Sequence, residues 1–225
     1  MEFSADLNAE PDASMLGRRF DWVVDGQIKG ADRQIDVDLG GFADAAIVPS
    51  LGALIPEWLL IVPRQPCFSV AALPKVARRQ LMNRTGAVVA AIQRLSGGAV
   101  VFEHGAGRFG SLNGCGVDQA HIHVVGLQPG FADYALRNSA DLNWQNVDGA
   151  DPWADLTAGT DYLLVMERDK TFAATLERPT SQFMRRMVAD FLGCADQWDY
   201  RQHPNENNAQ RTIQLFSGAF PDNRS

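Results

Sequence analysis

Residues 115–127 read CGVDQAHIHVVGL and contain two of the four histidines of the chain, His121 and His123. On a β-strand, side chains two positions apart lie on the same face. Gln119, His121 and His123 are therefore predicted to line one open face of a strand. The alternate positions are apolar and are predicted to point into the core: Ala120, Ile122 and Val124.

Two histidines this close admit three interpretations. Both can be hydrogen-bonded core residues, although the clean alternation argues against that. A His-x-His pair can also begin a metal site, with His104 or Asp118 as a further ligand. However, the chain has no Cys-x-x-Cys, no His-Glu-x-x-His and no acidic residue shortly after the pair. The third interpretation fits better: a neutral imidazole, with a usual pKa of ~6.5, attacks phosphorus while a neighbouring side chain holds phosphate oxygens.

A glycine-rich loop precedes the histidines, with glycines at 105, 107, 110, 114 and 116. Such a loop lets backbone N–H groups approach an anion closely, although it also serves as a plain hairpin connection. His104 can reach the phosphate or bond to the backbone, and Arg108 can bind it or stay solvated. The candidate phosphate-binding residues are Gly114, Cys115, Gly116, His104 and Arg108.

Composition narrows the class of protein. The chain has 225 residues, 46% of them hydrophobic and 21% charged, and a formal net charge of −7. This charge argues against broad binding to nucleic acid or to anionic membranes. No apolar run approaches the ~20 residues that a membrane span needs. The polar start MEFSADLNAEPDAS does not resemble a secretory signal, and three scattered cysteines do not suggest a disulfide framework. We therefore expect a cytoplasmic protein.

Short apolar or alternating runs predict the strands, several of them closed by glycine or proline. They are FDWVVDGQIKG (20–30), RQIDVDLGGF (33–42), AAIVP (45–49), WLLIVP (58–63), AVVFEHG (99–105), QAHIHVVGL (119–127) and DYLLVMER (161–168). The stretch from 130 to about 161 is expected to be mostly irregular.

Three helices are predicted. Pro74 suits the first turn of a long helix over 75–95, which Gly97 ends. Ser181 can cap a helix near 181–193, whose apolar residues recur at helical spacing. The arginine pair in that helix, Arg185 and Arg186, is expected to face solvent. A last short helix is expected over ENNAQRTIQLF (206–216).

The motif QAHIHVVG resembles the signature of the histidine triad (HIT) superfamily, His-φ-His-φ-His-φ-φ with φ apolar, in which Gln119 takes the place of the first histidine. Other segments agree in order and spacing. VPSLGALIPEWLLIVPRQ (48–65) resembles the strand–turn–strand segment of the family, Leu73-Pro74 opens the expected long helix, and FEHG (102–105) precedes the glycine-rich loop. The resemblance covers roughly residues 42–128.

The resemblance implies an α+β fold, with a HIT-like antiparallel sheet and a long helix, usually in a homodimer. It implies that His121 attacks the α-phosphorus of a nucleotide or dinucleotide and forms a nucleotidyl-histidine. His123 then contacts phosphate and helps the leaving group depart, and water or another acceptor takes the nucleotide. We expect no cofactor and no metal. Residues 18–130 would form the HIT-like nucleotide-binding domain, between a flexible tail (1–17) and a partly helical C-terminal extension (131–225).

Two positions depart from the family pattern. Gln119 replaces a histidine, and a glutamine can donate to a phosphate oxygen but cannot titrate. Glu57-Trp58 stands where the family usually has Gly-His, and Trp58 is predicted to pack at a subunit contact. The leading hypothesis is a nucleotide hydrolase or nucleotidyltransferase in which Gln119, His121 and His123 act in catalysis. One alternative is a nucleotide-binding protein with impaired catalysis, and another is a metal-dependent enzyme using His121 and His123.

Overall fold

The computed structural model describes residues 18–25, 34–114 and 117–220. The predicted tail over 1–17 and the candidate phosphate contacts Cys115 and Gly116 lie outside the described residues.

The described residues form one seven-stranded sheet in which every neighbouring pair is antiparallel. The strand order across the sheet is β1-β2-β4-β3-β6-β7-β5. The strands are β1 (Ala45–Pro49), β2 (Trp58–Pro63), β3 (Val100–Gly105), β4 (Ile122–Val125), β5 (Gln145–Asn146), β6 (Tyr162–Glu167) and β7 (Lys170–Thr175).

Helices cover both faces of this sheet. They are α1 (Asp21–Val24), α2 (Lys75–Ser96), α3 (Phe131–Arg137), α4 (Phe183–Phe191) and α5 (Glu206–Phe216), together with short 3-10 turns at Arg18–Phe20, Val70–Ala72, Leu112–Gly114 and Ala195–Gln197. Among the described residues, no helix is both long and apolar enough to cross a bilayer.

Alternation along the central strands divides the interior into two cores. On β3, Val101 belongs to the first core, which lies beneath α2. Val100 and Phe102 belong to the second core, which is covered by α1, α3 and α4. On β4, Ile122 and Val124 face the α2 side. His123 therefore projects into the second core, where its ring stacks on that of Phe102.

The α+β fold class is confirmed, and several elements match their predicted limits. β1 and β2 cover the predicted runs and end at Pro49 and Pro63, and α5 covers the predicted run 206–216. α2 follows Pro74 and ends before Gly97, which adopts the left-handed conformation with φ of 75°.

The strand predicted over 20–30 is wrong where it is described. Residues 18–24 form a 3-10 turn followed by the short helix α1. In a strand, neighbouring residues point to opposite faces, but Trp22 and Val23 are both buried in the second core. A helical turn lets both side chains reach that core.

The second half of the chain is more regular than predicted. The expected irregular stretch contains α3 and β5, and β7 follows β6 without having been predicted. β6 pairs directly with β3, so the described segment after residue 130 adds its strands to the sheet of the preceding segment. The boundary predicted at residue 130 therefore does not coincide with a break in the sheet. The helix predicted near 181–193 is observed over Phe183–Phe191.

Candidate active site

The face that carries the two histidines is not open. His121 lies just before β4, and His121 and His123 are only 8% and 4% exposed. Helix α4 packs on β3, and Phe20 lies with its ring centroid 5.5 Å from that of His121. The prediction of an open face is therefore wrong, because helical segments from both ends of the described chain cover this side of the sheet.

The hydrogen bond of His121 fixes which of its nitrogens carries the proton. Nδ1 lies 2.9 Å from the backbone carbonyl oxygen of Gln119. A carbonyl oxygen only accepts, so Nδ1 must donate. In the neutral imidazole the lone pair then resides on Nε2, which is the nitrogen able to act as a nucleophile.

The surroundings of His121 keep its imidazole neutral. Burial lowers its pKa to about 4, the bond to the Gln119 carbonyl opposes that shift, and the positive charges of Arg19 and Arg185 lower the pKa further. A positively charged imidazole has no lone pair to give. At neutral pH, His121 is therefore in the form that a nucleophile requires.

His123 is fixed in the opposite tautomer. The indole N–H of Trp58 donates to His123 Nδ1 at 3.0 Å, so Nδ1 accepts and the neutral ring carries its proton on Nε2. The ring stacks on Phe102 with centroids 4.4 Å apart. Burial, followed by the nearby histidines and arginines, places the pKa of His123 well below its usual value. His123 can thus donate a hydrogen bond through Nε2.

Trp58 does not lie at the surface. It is fully buried within the chain, because β2 is an inner strand with β1 on one side and β4 on the other. The prediction that Trp58 packs at a subunit contact is therefore wrong. Its position opposite Val125 in the β2–β4 register brings its indole to the neighbouring His123.

His104 bonds to the backbone, one of the two possibilities left open by the sequence. It lies in β3, and its Nε2 accepts the backbone N–H of Met184 at 2.9 Å. Burial is the main cause that lowers the pKa of His104 to about 3. Since Met184 stands in the first turn of α4, His104 satisfies one of the amides that a helix N-terminus leaves without an intrahelical partner.

Gln119 is engaged with the chain that follows β2. Its amide Nε2 donates to the carbonyl oxygens of Pro63 at 2.8 Å and Gln65 at 3.0 Å. Its Oε1 accepts the backbone N–H of Cys67 at 3.3 Å. The side chain thus ties two segments together at the start of the motif, while its backbone carbonyl orients His121.

A small cavity lies beside the two histidines. Its free volume of about 30 Å³ is room for only a few water molecules. The lining residues are Arg19, Phe20, Ser50, Leu51, Leu60, Val117, His121, His123, Arg185 and Tyr200.

The glycine-rich loop contributes less to this cavity than the sequence predicts. Arg108 is exposed, and the N–H of Gly114 bonds to the carbonyl of Ser111 at 3.1 Å. Asp118 accepts the N–H of Gly110 at 2.9 Å and so stabilises the loop itself. Within the described part of the loop, Val117 is the residue that lines the cavity.

Arg185 lines the cavity, which contradicts the prediction that it faces solvent. It is 3% exposed, and its guanidinium carbon lies 4.6 Å from the Trp58 ring centroid. A helical wheel contains a signal for this position, because Val188 and Ala189 follow Arg185 at i+3 and i+4 and are buried on the same side. Arg186 lies over the Trp198 ring instead.

Arg19 and Phe20 are further lining residues that sequence reasoning missed. Arg19 donates to the carbonyl of Pro49 at 3.1 Å and lies 3.4 Å from the buried carboxylate of Asp36. These contacts come from chain segments that are distant in sequence. No local pattern in the sequence marks them as cavity residues.

Among the described residues, no group of three or more His, Cys, Asp or Glu side chains is placed to hold a metal ion. Asp118 bonds within its own loop, and His104 bonds to Met184. The structure therefore offers no donor set on which a metal mechanism can be argued within this part of the chain.

Comparisons with known proteins give remote structural likenesses. No protein-family model matches the chain, and no curated protein sequence matches it. The chain is similar to the crystal structure of yeast Ap4A phosphorylase Apa2 in complex with Ap4A, with 11% identity and a TM-score of 0.38 over 79% of this chain and 75% of that one. A second structure of yeast Apa2 is also 11% identical, with a TM-score of 0.37 over 92% of this chain and 77% of that one.

Proposed function

We propose that this chain is a HIT-like nucleotide hydrolase or nucleotidyltransferase that acts through a nucleotidyl-His121 intermediate. The observation that carries the proposal is the bond from His121 Nδ1 to the Gln119 carbonyl, which leaves the lone pair on Nε2. His121 lines a cavity that also contains two arginines and His123. The resemblance of the motif to the histidine triad signature supports the same reaction.

The proposed reaction has two displacements at the α-phosphorus. First, His121 Nε2 supplies its electron pair to phosphorus, a P–N bond forms, and the bond to the leaving group breaks. The leaving group departs with the electron pair of that bond. Then water or another acceptor attacks the same phosphorus, and the P–N electron pair returns to Nε2.

His123 is assigned the role of a hydrogen-bond donor to a phosphate oxygen. Its Nδ1 accepts from Trp58, so the Nε2–H of the neutral ring is the group available to an oxygen. The ring centroids of His121 and His123 are 4.9 Å apart. A donor this close to the nucleophile stabilises negative charge that develops on the transferred group.

A second candidate is a nucleotide-binding protein without turnover. The engagement of the Gln119 side chain with three backbone groups favours it, because that amide is used to hold the fold. In that case, substrate binds near His121 but no intermediate accumulates.

The test is product formation from a panel of nucleoside phosphoramidates and dinucleoside polyphosphates, together with binding of the same compounds. The wild type is compared with His121→Asn, His123→Asn and the matched control His203→Asn, since His203 does not line the cavity. We expect product from wild type and control, none from His121→Asn, and a reduced rate from His123→Asn. Binding without product in the wild type would support the second candidate, and neither binding nor product would contradict both.

The variant Gln119→His separates the two candidates further. A neutral imidazole has one N–H and cannot reproduce both bonds that the Gln119 amide donates. For an active enzyme we expect this variant to lose stability and not to gain turnover. Appearance of turnover only in Gln119→His would instead identify a binding protein whose activity depends on a histidine at this position.

A further inference from the structure

The guanidinium of Arg185 is built into the wall of the histidine cavity. The Arg185 side chain is nine-tenths or more buried, and two of its N–H groups donate to the carbonyl oxygens of Gly52 and Trp198, the latter at 3.3 Å. Ser50 Oγ, which also lines the cavity, lies 3.5 Å from Nη1. These contacts hold the planar group in one orientation beside the histidines.

Trp58 couples the position of Arg185 to that of His123. The indole N–H donates to His123 while the guanidinium lies over the ring of the same indole. The positive charge of Arg185 also contributes to the lowered pKa of all three buried histidines, His104, His121 and His123. Arg185 is therefore close enough to act electrostatically on the groups proposed to carry out the reaction.

We propose that Arg185 forms a phosphate-binding subsite, which supplies from helix α4 the positive charge that Gln119 cannot carry. The inference rests on the proposed function, because it assigns the oxygens of the transferred phosphate and its neighbouring phosphate as the ligand. A guanidinium carries a permanent positive charge and several N–H groups in one plane, and both features suit the oxygens of a phosphate. Specificity for a charged polyphosphate would thus come from a residue outside the His-x-His motif.

Arg19 is a second cation at this cavity, but its position differs from that of Arg185. It forms an ion pair with Asp36 at 3.4 Å, which offsets part of its charge. Its side chain is also more exposed, at 18%. Arg185 is therefore the principal member of the proposed subsite, and Arg19 a secondary one.

The neighbouring arginine provides a matched control. Arg186 stands on the same helix, and its guanidinium carbon lies 3.4 Å from the Trp198 ring centroid. Its Nε donates to the carbonyl of Ser181 at 3.2 Å, and it does not line the cavity. Replacing Arg186 removes the same charge from the same helix without touching the subsite.

The test is calorimetric binding of inorganic pyrophosphate to the full chain as wild type, Arg185→Gln, Arg185→Lys and Arg186→Gln. We expect wild type and Arg186→Gln to bind equally, and Arg185→Gln to bind on the order of 10- to 100-fold more weakly, as for loss of charge-assisted hydrogen bonds. Arg185→Lys should bind with intermediate affinity, since it keeps the charge and loses the planar group. Circular dichroism and thermal unfolding establish that each variant is folded.

Wild-type affinity in folded Arg185→Gln, or an equal loss in Arg186→Gln, would overturn the proposal. If Arg185→Gln does not fold, Arg185→Lys decides: an affinity equal to that of the wild type would overturn the planar-group subsite. Absence of pyrophosphate binding to the wild type would also overturn it. The proposed function has a separate test, which is the covalent adduct on His121. The result of that test does not depend on which residue binds the neighbouring phosphate.

Discussion

At the residue scale, the indole of Trp58 connects the two groups proposed to contact phosphate. Its N–H donates to His123, and its ring lies beneath the guanidinium of Arg185. Trp58 thereby fixes both the tautomer of one side chain and the position of the other. Trp58 is therefore part of the support of the candidate site.

Replacing Trp58 with phenylalanine removes the donor and keeps most of the apolar contact. We expect Trp58→Phe to lose about 1–3 kcal/mol of stability and to allow His123 to populate its other tautomer, because Nδ1 loses its donor. Nitrogen NMR of the imidazole reports the tautomer directly, and the turnover rate should fall with it.

Trp22→Phe is the control for this substitution. The buried Trp22 Nε1 has no hydrogen-bond partner among the described residues, so its loss should leave the His123 tautomer unchanged. An unaltered His123 spectrum in Trp58→Phe would show that the indole does not set the tautomer.

The sequence reveals the histidines of this site but not their partners. The spacing of His121 and His123 correctly places both on the face opposite Ile122. The bond between Trp58 and His123 joins residues 65 positions apart, on strands whose pairing no local pattern specifies. Arg185 is missed for the same reason, since it is buried only because α4 packs over the second core.

At the scale of elements, prediction succeeds where the chain carries explicit stop signals. Pro49, Pro63 and the positive φ of Gly97 end their elements where the sequence indicates. β7 is missed because the turn before it carries no such signal. That turn places Arg168, with φ of 56°, in a conformation that hairpins usually give to glycine or asparagine.

We predict that replacing glycine with alanine has opposite effects on stability at Gly105 and at Gly86. A Cβ on Gly105, at the end of β3, would lie 2.0 Å from Cζ of the Tyr162 ring, so Gly105→Ala should destabilise the protein by about 1–3 kcal/mol or more. A Cβ on Gly86, inside α2, meets no atom within 4 Å among the described residues. Gly86→Ala should therefore stabilise by about 0.5–1 kcal/mol.

Chemical denaturation of both variants measures these changes. Equal effects from the two substitutions would contradict the close approach of β3 to Tyr162 and the open surface at Gly86.

At the scale of the whole molecule, helices cover both faces of the sheet and bury ionisable groups in both cores. On the face opposite the histidines, Glu103 is fully buried and accepts from the Val70 N–H at 2.9 Å, the Trp153 indole at 2.6 Å and the Tyr162 hydroxyl at 2.8 Å. Burial nevertheless raises the pKa of Glu103 to about 7. In the second core, burial instead lowers the pKa values of the three histidines.

These opposed shifts predict how stability depends on pH between about 4.5 and 6.5. In this pH range His104, His121 and His123 bind protons in the unfolded chain but stay neutral in the folded chain. The free energy of unfolding therefore falls as the pH falls. Glu103 opposes this, because its folded form holds a proton that the unfolded form has released. Each proton changes the free energy of unfolding by about 1.4 kcal/mol per pH unit.

Urea unfolding at several pH values separates the two contributions. His121→Gln should reduce the slope of the free energy of unfolding against pH by about 1.4 kcal/mol per pH unit, which corresponds to one proton. Glu103→Gln should increase that slope by about the same amount. Identical pH slopes in the wild type and both variants would show that neither group titrates differently on folding.

The most direct test of the central claim is to locate a covalent nucleotide on the protein. The full chain is mixed with excess nucleoside phosphoramidate, quenched within the first turnover under mildly basic conditions and analysed by intact mass, followed by peptide mapping. We predict an added nucleotidyl group on His121, present in His203→Asn and absent from His121→Asn. Product formation without an adduct on His121, or an adduct that persists in His121→Asn, would contradict the account.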